Sequence, residues 1–93
     1  MTIEDNPVGI TLESNSGAWL NGGLMIRNNG TGIVADGAGV LVLATIPQAP
    51  SSITGNTTRD IDARFGSRIR VVNVPIGVVA CDGTVLSQGL ACP

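Results

Sequence analysis

Apolar and polar positions alternate along much of this chain with a period of two. Val8, Ile10 and Leu12 stand against Gly9, Thr11 and Glu13; Ile61, Ala63 and Phe65 stand against Asp60, Asp62 and Arg64. Ile69 and Val71 likewise oppose Arg68 and Arg70. Successive side chains of an extended strand point to opposite faces, so this alternation predicts half-buried β-strands. No stretch shows a capped stripe at helical spacing, and the glycine and β-branched content opposes helix. Between the strands lie turn signals: Asn21-Gly22, Asn28-Asn29-Gly30, Asp36-Gly37 and Asp82-Gly83. These pairs tolerate positive φ and are the strongest short hairpin signals. The pattern therefore predicts a meander of hairpins, with Gly37 and Gly83 both in left-handed turn positions.

Residues 47–58, bracketed by Pro47 and Pro50, read as a loop. Pro75 limits pairing and marks a sheet edge or bulge. The segment Gly32–Leu41 echoes Gly77–Leu86, which reads as two similar hairpins; two copies are too few for a solenoid. The expected fold is all-β, a small β-sandwich or jelly-roll-like barrel of about seven or eight short strands. Residues 1–16 form an extended N-terminal arm on a single β domain at 17–93.

Composition narrows the chemistry. The chain has 93 residues and a net charge of −2, with no histidine and no lysine; all five basic residues are arginine. Without histidine, a Ser-His-Asp or Cys-His centre cannot form within the chain, and zinc or haem lacks ligands. No phosphate-cradling glycine motif is present. No catalytic residue, cofactor or metal is expected. The weak charge argues against nucleic acid, and the longest apolar run, Ala38–Ile46, is about half a membrane span. The N-terminus lacks the basic and apolar regions of a secretory signal. Cys81 and Cys92 are therefore read as free thiols before a disulfide. Asn29-Gly30-Thr31 and Asn56-Thr57-Thr58 are read as turn composition. Asp60 and Asp62 read as a solvated strand face with local ion pairs. Trp19 reads as a core anchor, with a sugar-stacking platform as the alternative.

A ring-poor core with many glycines is thin, so association is expected to add stability. The acidic arm (Glu4, Asp5, Glu13) and the segment holding Arg59, Arg64, Arg68 and Arg70 carry opposite charge. An arm laid on a neighbour would combine charge complementarity with strand addition. The candidate interface is Ile3, Val8, Ile10, Leu12, Arg64, Arg68 and Arg70; packing of the arm within its own domain is the alternative.

The arm at 1–16 and the hairpins around Asp36-Gly37 and Asp82-Gly83 resemble the capsid cement (decoration) proteins of tailed phages. That resemblance lies in the style of the chain, so no site residue is carried over. It implies a non-enzymatic clamp, a homotrimer bound to the major capsid protein and bridging capsomers, in a virion assembled in the host cytoplasm. A tail-fibre, spike or baseplate component and a carbohydrate- or surface-binding β module are the alternatives.

Overall fold

A computed structural model describes residues 1–21, 23–43 and 51–89. Its strands are β1 (Thr2–Glu4), β2 (Val8–Leu12), β3 (Gly17–Asn21), β4 (Met25–Arg27), β5 (Thr31–Asp36), β6 (Gly39–Leu43), β7 (Ser52–Ile53), β8 (Arg59–Arg64), β9 (Arg68–Val72), β10 (Val79–Cys81) and β11 (Leu86–Gln88). They visit three sheets in turn: β1, β4 and β7 in the first; β2, β5, β8 and β10 in the second; β3, β6, β9 and β11 in the third. Every pairing is parallel. The chain is thus a three-sided parallel coil, each turn taking roughly 20–30 residues. This overturns the sandwich or jelly roll, which needs antiparallel strands, and also the exclusion of a solenoid.

The predicted hairpin turns are corners. Gly37 has φ 67°, and its N–H bonds the Arg64 carbonyl of the next coil rather than closing a hairpin. One left-handed residue bends the chain onto the next sheet without reversing it. Gly83 is not among the positive-φ positions, so the second of the two predicted left-handed glycines is a correction. Asn21-Gly22 falls partly outside the described residues, since Gly22 is not among them. Part of the predicted loop 47–58 is strand: β7 pairs Ser52 and Ile53 with Met25 and Ile26. Residues 1–16, read as an arm, supply β1 and β2, which pair within the chain to β4 and β5.

Register stacks like on like. Ile3, Ile26, Ile53 and Ile76 form one apolar column. Ile10, Ile33, Ile61 and Val79 form a second, and Leu12, Ala35, Ala63 and Cys81 a third. The middle members are fully buried, while Ile3, Ile10 and Leu12 at the first coil are only partly covered. Alternation placed Ile61, Ala63, Ile69 and Val71 inside correctly. It failed for Phe65, which turns out at a corner with φ 54° and is 67 % exposed.

Candidate functional site

Two surfaces present chemistry, and a polar ladder runs inside the coil. At the corner between the first and second sheets, the first three coils repeat one device: a left-handed residue followed by asparagine. The pairs are Asp5-Asn6, Asn28-Asn29 and Gly55-Asn56, with φ of 63°, 57° and 71° at the leading residues. The left-handed residue swings the following side chain inward, along the coil axis. Asn29 Nδ2 donates to Asn56 Oδ1 at 3.0 Å, and the Asn29 N–H donates to the same oxygen at 3.0 Å. Asn56 Nδ2 donates to Asp60 Oδ1 at 2.7 Å. Asp60 Oδ2 accepts the Val78 N–H at 2.6 Å, which ends the ladder on a carboxylate. Asn6 starts it, its N–H donating to Asn29 Oδ1 at 3.1 Å. Sequence reasoning took these asparagines for turn composition. The available signal was the recurrence of asparagine two or three positions before β2, β5 and β8, three of the four strands of the second sheet.

Asp60 is therefore buried structure and only Asp62 lies on the solvated face, paired with Arg59 at 2.9 Å and Arg64 at 3.8 Å. Of the other carboxylates, Glu4 pairs with Arg27 at 3.1 Å. Asp82 accepts the Thr84 hydroxyl, the Phe65 N–H and the Thr84 N–H, and these bonds hold its carboxyl below its ordinary value. Among the described residues no cluster of three potential metal ligands exists. Cys81 is disulfide-bonded, which corrects the free-thiol expectation; Cys92 lies outside the described residues.

The first surface is the rim of the first coil. Among the described residues β1, β2 and β3 each have one strand neighbour, which leaves their other edge without a strand partner there. Ile3, Ile10, Leu12 and Leu20 form the top layer of the core there, partly buried. Val8, 37 % exposed, sits outside that layer. The interface residues from the arm thus gather at one rim.

The second surface is the outer face of the third sheet. One lateral row is Gly17, Gly39, Arg68 and Leu86. The next is Trp19, Leu41, Arg70 and Gln88. Trp19 is 72 % exposed, so the core-anchor reading is overturned. A groove of about 750 Å³ runs over this face, lined by Gly17, Gly39, Arg68, Arg70, Leu86 and Gln88 among others. The structure brings Arg68 and Arg70 together there, but Arg64 lies on the second sheet, engaged with Asp62. No family model, curated protein or solved structure matches this chain.

Proposed function

We propose that this chain is a non-enzymatic structural module whose first coil packs edge to edge against a second copy of itself. The supporting observation is the incomplete rim: three open strand edges surround a partly covered apolar layer of Ile3, Ile10, Leu12 and Leu20. Open edges of this kind are templates for pairing, and two like edges meeting around a two-fold axis close without leaving a further edge. The acidic residues of the rim do not forbid it, because Glu4 is already compensated by Arg27. Hydrogen bonds and ion pairs engage the carboxylates of Glu4, Asp60, Asp62 and Asp82, which favours a structural over a catalytic role. The disulfide at Cys81 suits service in an oxidising medium. Within the virion classes raised by the sequence, a coil that extends along one axis fits a fibre or spike component better than a clamp.

Sedimentation velocity over a concentration series tests this. Wild type is expected to shift from monomer to dimer, and a chain with Ile10→Asp and Leu12→Asp to stay monomeric while keeping its β-type circular dichroism. A wild-type chain that stays monomeric at every concentration overturns the reading.

A further inference from the structure

The outer face of the third sheet carries a binding function separate from assembly: we infer that it holds a chain of acidic sugars. Three observations converge. First, the arginines divide into two groups. Arg27, Arg59 and Arg64 are ion-paired, whereas Arg68 and Arg70 have no partner among the described residues. Both unpaired guanidinium groups line the same groove. In a chain without lysine they are the only uncommitted cations described, and they project from one strand two positions apart. Second, Trp19 is the only tryptophan; it stands beside the groove rather than in its lining, sharing a row with the lining residues Arg70 and Gln88, on the strand two away from Arg70. An indole left 72 % exposed on a flat sheet offers a planar apolar surface with one N–H donor. Third, the row alongside is bare as far as Arg68, since Gly17 and Gly39 carry no side chain, while Leu41 holds the register position between Trp19 and Arg70 in their own row. A Cβ built on Gly39 meets nothing within 4 Å, and on Gly17 only the Gly39 carbonyl at 3.8 Å. A ligand can therefore approach the backbone itself.

The occupant follows from this geometry. Strands lie about 4.8 Å apart, so Trp19 and Arg70 are separated by roughly 10 Å across the sheet. That span suits two linked sugar rings: one stacks its apolar face on the indole, and the carboxylate of the next meets a guanidinium in a bidentate pair. Gln88, at the far end of the row, adds an amide for hydroxyl groups. A nucleic acid presents far more charge than two arginines can neutralise on a chain of net negative charge. A peptide would need an open strand edge, and this surface is a sheet face.

Trp19 makes the test direct. Titration with a short oligogalacturonate is followed by indole fluorescence and by calorimetry, with a neutral malto-oligosaccharide, polyglutamate and oligothymidylate in parallel. Expected are saturable binding of oligogalacturonate, at least about tenfold weakening in Arg68→Gln with Arg70→Gln or in high salt, and loss of calorimetric binding in Trp19→Ala. The dimer interface variant Ile10→Asp with Leu12→Asp is expected to bind unchanged, which separates this site from the assembly reading. Absence of binding, equal binding of the neutral sugar, or equal binding of polyglutamate or oligothymidylate would overturn the inference.

Discussion

Asn56 shows how much one side chain carries in this architecture. Its amide is buried and ties its own coil to the one before, donating to Ile26 O and Asp60 Oδ1 while accepting from Asn29. A buried polar group left without a partner costs about 1–3 kcal/mol. Asn56→Ala orphans the buried Asn29 N–H and leaves Asp60 Oδ1 with the Asn56 N–H alone, so a loss of roughly 2 kcal/mol is expected in urea denaturation. Asn6→Ala, at the exposed start of the ladder, is expected to cost about 1 kcal/mol or less. Asp82 acts at the opposite side and through charge. The Thr84 hydroxyl first, then the Phe65 and Thr84 N–H groups, favour its ionised form. A carboxyl held below its ordinary value contributes stability that is complete above the unfolded-state pKa and fades as pH falls through the lower folded one. The corner at Phe65 and Gly66 is thus expected to loosen only below the ordinary carboxylate range. Amide chemical shifts of Phe65 and Thr84 should move there together in wild type and stay flat in Asp82→Asn.

At the scale of elements, the strands were legible and their partners were not. Alternation over Ile69 and Val71 reports which side chains face inward, and it does so equally for a hairpin and for a coil. Direction of pairing depends on what the corner does, and Asp-Gly was read as a reversal. The two Asp-Gly corners now separate. Gly37 combines φ 67° with close neighbours, Phe65 O and Ser14 Oγ both at 3.5 Å from a built Cβ. Gly83 has neither constraint. Gly37→Val is expected to lose about 1–3 kcal/mol, the cost of forcing a β-branched residue into that region. Gly83→Val is expected to stay within about 0.5 kcal/mol. Thermal melts of the two variants side by side check this; a similar loss in both would mean the corners are equivalent after all. Trp19 was misplaced for a related reason. A lone ring in a ring-poor chain suggests a core, but Leu20 takes the inward position of β3 and leaves Trp19, its neighbour, on the outer face.

Across the whole molecule, the sequence disclosed an all-β chain and many of its inward residues. It concealed the coil because the spacing between equivalent residues is uneven. Thr2 aligns with Met25, Met25 with Ser52, and Ile61 with Val79, so no fixed period emerges from the letters. The ladder asparagines Asn6, Asn29 and Asn56 mark only the first three coils. The outer face of the third sheet was similarly split in the text, with Trp19 and Arg70 far apart in the chain and two strands apart in space. The unevenness has a use. Between β6 and β7 the chain runs from Leu43 to Ser52, against Asn21 to Met25 one coil earlier, yet register on either side is kept. One rung of the coil can therefore consume more chain than the next without disturbing the rungs on either side of it.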